Sequence, residues 1–164
     1  MFEPVRESGF TLIELLVTVV VLAIILTMAV PSFQETIRNN RVATETNTLV
    51  GAVQLARSEA AKRGVEVSLT ASGASFGAGY CVHQGGAGVN CTNTNRIRQF
   101  EPLESNLSSG ATKLIFNDMG VLVNGAAVTV DITPPGCSSG EVNGVRRVRV
   151  GLGGQVTVSR VDCP

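Results

Sequence analysis

Several things are scarce in this chain of 164 residues, and each scarcity removes a class of function. It has no tryptophan, one tyrosine and 4% aromatic residues, so a platform for stacking nucleic-acid bases is not expected. The single histidine, His83, would have to serve any Ser-His-Asp or Cys-His arrangement, and it stands two residues from Cys81. Net charge is missing too, with 13 basic residues balancing 13 acidic ones. Without residues 1–9 the balance is 12 to 11, which gives no global field to draw in polyanions. No Cys-x-x-Cys pair occurs, which argues against a structural zinc site. Neither Gly77-Ala78-Gly79 nor Gly85-Gly86-Ala87-Gly88 leads into Gly-Lys-Ser/Thr, so these glycines read as tight turns and not as a phosphate loop. No cofactor, catalytic constellation or internal repeat is expected. By subtraction, this is a structural protein.

What the chain does have begins at Gly9. From there to Phe33 the sequence is apolar and holds one ionisable side chain, Glu14. A helix needs about 20 apolar residues to cross a bilayer, and this run supplies them. An ionised acid in hydrocarbon costs several kcal/mol and usually has a partner. An ordinary signal peptide cut after Ala29 would account for the hydrophobicity and leave Glu14 unexplained. Ahead of the run, Met1 to Ser8 form a polar leader in which Arg6 is set against Glu3 and Glu7, giving little positive-inside signal.

Beyond Phe33 the pattern becomes amphipathic. Val42, Thr46, Leu49, Val53, Ala56 and Ala60 recur at spacings of four and three, one face of a helix. Arg38, Arg41, Glu45, Arg57, Glu59, Lys62 and Arg63 fall off that stripe. Lys62 and Arg63 suit a last turn, and Gly64 suits the position after it. One helix over residues 11–63 is therefore expected. From Val65 the period shifts to two, with candidate strands at 65–70, 79–83, 96–100, 112–117, 121–123, 127–133, 145–152 and 155–161. The last two, joined by Gly153-Gly154, read as a hairpin. Four cysteines, Cys81, Cys91, Cys137 and Cys163, all lie in this second part. An even count in an exported domain implies two disulfides, with three connectivities open. We favour Cys81–Cys91, closing a Gly-rich loop, and Cys137–Cys163, fastening the C-terminus.

The segment Gly9-Phe10-Thr11-Leu12-Ile13-Glu14-Leu15-Leu16, behind its short leader, resembles the processing site of type IV prepilins and of the pseudopilins of type II secretion. The resemblance implies a peptidase that cuts between Gly9 and Phe10 and methylates the new terminus. It also implies that Glu14 pairs with the Phe10 amine of a neighbouring subunit. A proline at the place of Pro31 is a family feature, and in assembled filaments the helix upstream of it, here 23–30, is unwound. The stretch Leu55 to Arg63 is similar to the branch holding FimT- and FimU-type minor pilins and the H-type pseudopilin. The implied fold is α+β, a pilin fold: leader 1–9, membrane and assembly helix 10–33, amphipathic half 34–64, and a β-rich periplasmic domain 65–164. The implied role is a FimU-like minor pilin in a tip complex, resident in the inner membrane until it joins other minor and major pilins. The alternatives are an H-type pseudopilin and a FimT-like DNA receptor.

FimT-type members bind DNA through Gly-Arg-x-Arg, and here the matching place reads Gly154-Gln155-Val156-Thr157. Arg146, Arg147, Arg149 and Arg160 are the substitute candidates for DNA phosphate, with Arg147 and Arg149 on one strand face and Arg146 on the other. Solvent-facing arginines paired with Glu141 or Asp162 are the plainer reading, so DNA is a partner not favoured.

Overall fold

Thr11 starts the long helix. Its Oγ1 accepts the Glu14 N–H at 3.3 Å, and its carbonyl accepts the Leu15 N–H at 3.2 Å. Thr-x-x-Glu is the spacing of a helix-opening box, and an acid in the first turn also suits the helix dipole. The computed structural model describes residues 10–142 and 144–164; the leader and Gly9 lie outside them. Helix α1 spans Leu12–Arg63 and is helical through Pro31. It ends where Gly64 takes φ +65° and donates its N–H to the Ala60 carbonyl at 3.0 Å. Only a residue tolerant of left-handed backbone closes a helix this way at little cost.

The chain divides into two units, one up to Ile37 and one from Arg38 to Pro164. In the first, α1 is uncovered: Leu12 is 83% exposed and Met28 75%, with Leu15, Val19, Leu22 and Ile25 all exposed between them. Thr18 and Thr27 satisfy their hydroxyls on the carbonyls of Leu15 and Ile24, at 2.8 and 2.7 Å. Polar side chains that bond back to their own helix add no unpaired donor to an apolar surface.

In the second unit α1 contributes the stripe read from the spacing. Val42, Thr46, Leu49, Val53, Ala56 and Ala60 are all buried, joined by Ala52. Glu45 departs from the charged side assigned to it. It is buried, and its Oε1 accepts the Glu104 backbone N–H at 3.1 Å, an interaction no helix periodicity encodes.

Among the described residues, eight strands form two antiparallel sheets. Strands β1 (Val67–Ala71), β2 (Tyr80–Gln84), β3 (Arg96–Phe100) and β5 (Lys113–Phe116) lie in the order β3-β2-β1-β5. Strands β4 (Asn106–Ser109), β6 (Val128–Thr133), β7 (Val145–Val150) and β8 (Val156–Val161) lie in the order β4-β6-β7-β8. The register places Leu69 opposite both Val82 and Leu114, and Val67 opposite Phe116, all fully buried on one face. Val130, Ile132, Val148 and Val150 supply the matching face of the other sheet. Tyr80 stacks on Phe100 at 4.8 Å between ring centres and meets Phe76 edge-on at 5.9 Å. Together with the α1 stripe these side chains form one core.

Two strand expectations change. Residues 121–123 form only a bridge, Leu122 to Phe116, because the Asn117 side chain takes the N–H groups of Met119 and Val121 and folds the chain into a turn. Strand β4 appears where none was expected, in a polar stretch with one buried apolar side chain, Leu107.

Candidate functional site

Phe10, Glu14 and Pro31 all fall in the uncovered half of α1 or just before it. Phe10 is 79% exposed. The Glu14 backbone is held by Thr11, yet its carboxylate has neither hydrogen bond nor ion pair among the described residues. Among the described residues one helix, α1, is long and apolar enough to cross a membrane, with a mean hydropathy of 2.8 over its most apolar window. This half of the helix thus presents an apolar cylinder with one acid near its start. In hydrocarbon such an acid calls for a partner.

The four candidate arginines do not gather. In an antiparallel pair, residues directly opposite share a face. Arg146 stands opposite Arg160 and Ile132, on the face of Val148 and Val150. Arg147 and Arg149 lie on the reverse, opposite Asp131 and Thr129. Arg147 is neutralised there: its Nε and Nη2 donate to the two Asp131 oxygens, both at 2.7 Å. The bond raises the Arg147 pKa, as expected of a fork-to-fork pair. Asp131, and not Glu141 or Asp162, is its partner. Arg96 and Arg98, on β3, belong to the other sheet.

The cysteines pair as Cys81–Cys91 and Cys137–Cys163. The first bridge holds the 85–91 loop over the outer face of its sheet. Under that loop Ser68 Oγ donates to Gly85 O at 2.6 Å, and Lys113 Nζ donates to Val89 O at 2.7 Å. His83 is fully buried there, its Nε2 2.8 Å from Thr70 Oγ1 and its Nδ1 3.2 Å from Gln84 O. Burial lowers its pKa. The second bridge forms a clasp. Cys163 N–H donates to Glu141 O at 2.9 Å, and Arg38 reaches from α1 to the Glu141 carboxylate and, at 3.5 Å, to Gly136 O. The ligating atoms of Cys137, Glu141 and Cys163 lie within 4.8 Å of one another, but joined sulfurs leave no thiolate for a metal and Arg38 occupies the acid. Sequence reading missed the clasp's Arg38–Glu141 pair, because 103 residues separate its members.

The same architecture occurs in solved structures. The type IV minor pilin FimU of Pseudomonas aeruginosa superposes with a TM-score of 0.62 at 20% identity, over 74% of this chain and 90% of that one. A second crystal form of FimU gives 0.59 at 21% identity, over 71% and 91%. The minor pseudopilin EpsH of the Vibrio cholerae type 2 secretion system gives 0.50 at 16% identity, over 73% and 97%. At such identities the likeness carries the fold. No curated protein matches the chain by sequence. Residues 5–30 match the prokaryotic N-terminal methylation motif, which takes in Phe10 and Glu14. The long N-terminal helix with antiparallel sheets is the fold shared with these solved structures, and with residues 45–154 matching type II transport protein GspH, the chain belongs to the GspH family.

Proposed function

We propose that this chain is a minor pilin of a type IV pilus, of the FimU kind, acting in the tip complex that primes assembly. On this reading a prepilin peptidase cuts between Gly9 and Phe10 and methylates Phe10. The protein then waits in the inner membrane, on one span, with its β domain in the periplasm. On assembly the Glu14 carboxylate pairs with the Phe10 amine of a neighbouring pilin, so that two charges costly in hydrocarbon offset each other. Pro31 supplies the weak point at which the helix loosens in the filament, since it donates no backbone hydrogen bond. The observation that carries the reading is the uncovered apolar helix half, whose Glu14 carboxylate, unpartnered among the described residues, lies within the methylation motif. Among the described residues, nothing in this half competes for the acid.

Deleting the gene tests it. Loss of surface pili, with this chain recovered at low abundance from pili sheared off wild-type cells, supports the pilus role. Intact piliation with failed export of secreted proteins would make the chain an H-type pseudopilin instead, a reading favoured by the GspH match over residues 45–154. DNA capture through Arg146, Arg147, Arg149 and Arg160 is less supported, because the register divides them between two sheet faces and Asp131 neutralises Arg147.

A further inference from the structure

One rung of the C-terminal hairpin sets two like charges against each other. Arg38, Arg41 and Arg147 each face a carboxylate, from Glu141, Glu104 and Asp131. Arg146 and Arg160 instead face each other directly across β7 and β8. Like charges in this position are destabilising. Neither side chain has a hydrogen bond or ion pair among the described residues. Arg146 is half-buried, and both its burial and the Arg160 charge lower its pKa. Two guanidiniums held side by side without an anion make a fork that fits one phosphate.

The rung's place in the domain narrows the source of that phosphate. The next rung is Val145 opposite Val161, followed by Asp162 and Cys163. Cys163 is bonded to Cys137, next to the Gly136 carbonyl that Arg38 reaches. The rung therefore lies beside the clasp, at the end of the β domain where α1 enters. Arg38 follows Phe33 by five residues, a chain length of at most about 17 Å. The polar headgroup layer of a bilayer lies within that reach. Of the nearby acids, Glu141 is engaged by Arg38, and Asp162 has an interaction of its own. A duplex backbone would need a continuous basic stripe, which the split of the four arginines between two faces denies it.

We propose that Arg146 and Arg160 together clamp the phosphate of an anionic phospholipid headgroup, a proposal that rests on the reading of α1 as a membrane span. The clamp holds the β domain against the bilayer before assembly.

The test uses the full chain in neutral detergent micelles, titrated with phosphatidylglycerol or phosphatidylcholine, with retained lipid counted by native mass spectrometry. Wild type should retain phosphatidylglycerol about tenfold over phosphatidylcholine, from the attraction that basic side chains feel at an anionic surface. That preference should vanish in R146Q/R160Q, survive in R147Q/R149Q, and weaken in R146K/R160K, which keeps the charge but loses the guanidinium fork. R146Q/R160Q should unfold at the same temperature as wild type or higher, because it removes a repulsion. Equal retention of the two lipids by wild type, or equal loss in both Gln pairs, overturns the proposal. So does displacement of the lipid by millimolar inorganic phosphate, which assigns a free-anion site. Duplex DNA binding that R146Q/R160Q alone abolishes, with no lipid preference, makes nucleic acid the ligand. Carbonate extraction reports the membrane span separately: a wild-type chain that it strips from membranes removes the premise and the proposal together.

Discussion

Arg57 Nη1 donates to the Gly154 carbonyl at 3.4 Å, and the two residues close the end of the domain opposite the clasp. Gly154 has φ +75°, and a Cβ there would press into the Gly120 carbonyl oxygen and lie 3.0 Å from Arg57 Nε. Gly154→Ala should therefore cost about 2 kcal/mol or more, from left-handed strain and the backbone clash together. Gly51, inside α1, has nothing within 4 Å and an ordinary φ. Gly51→Ala should stabilise by about 0.5–1 kcal/mol, because glycine is a poor residue for a helix interior. Urea unfolding of the two variants in micelles, followed by circular dichroism, should move in opposite directions.

The two disulfides should differ in weight. They close loops with sequence separations of 10 and 26 residues. Chain entropy alone then assigns about 2.7 kcal/mol to Cys81–Cys91 and about 3.5 kcal/mol to Cys137–Cys163. Removing the second also frees the end of β8. Replacing Cys137 and Cys163 by Ser should lower the unfolding midpoint further than replacing Cys81 and Cys91. Limited proteolysis should cut β8 first in that variant alone.

Acid should weaken the fold through His83. Its folded pKa lies below the ordinary 6.5, with burial the main cause. The neutral ring donates from Nδ1 to Gln84 O and accepts at Nε2 from Thr70, so a second proton requires the Thr70 hydroxyl to turn and accept, and it places a charge in a buried site. The stability it lends is complete above the unfolded value and declines as pH falls below 6.5 toward the folded pKa. A urea midpoint measured against pH should show this decline in wild type and a shallower one in His83→Gln. At the alkaline end, burial pushes Tyr80 up to about 12 from 10.0, with the Glu45 charge adding to it. Its contribution should fade as pH rises between those two values, and Tyr80→Phe should remove that fade.

Glu14 carries two roles that mutation can part. Its N–H receives the Thr11 cap, while its carboxylate faces outward. Glu14→Gln keeps the cap and the length but abolishes the charge. It should insert into the membrane as well as wild type or better, and fail to enter filaments. Thr11→Ala loses the cap, worth about 1 kcal/mol, and should still assemble. Entry of Glu14→Gln into pili at the wild-type level would remove Glu14 from assembly. Gly9→Val should accumulate as uncut precursor, and mass spectrometry of the wild type should find methylated Phe10 at the terminus.

Most of the helix and most strands were legible because their signals are local. The α1 stripe follows from a 3.6-residue period, and Gly64 marks its C-terminal end. Strand β4 was not legible, since Asn106, Ser108 and Ser109 offer no apolar alternation and β4 exists only by pairing with β6. Residues 121–123 looked like a strand because they form a short apolar run with two β-branched valines, and the Asn117 side chain overrides that signal. For the arginines, alternation along β7 correctly parted Arg146 from Arg147 and Arg149. The register that brings Arg160 to Arg146 and Asp131 to Arg147 depends on which strands neighbour which, and spacing does not contain it.

The clasp also has a mechanical meaning. Tension on the chain at Ile37 would pass into the β domain at Arg38, the first residue of the second unit. Arg38 is tied to Glu141, which lies within the loop that Cys137–Cys163 closes, and to Gly136, the residue just before that loop. The covalent bond thus stands directly behind the first non-covalent contact to be loaded. A pull on the anchor would be shared by both ends of the C-terminal segment and would not peel β8 from its edge. Fastening the last strand at this point makes the extreme C-terminus part of the chain's resistance to force.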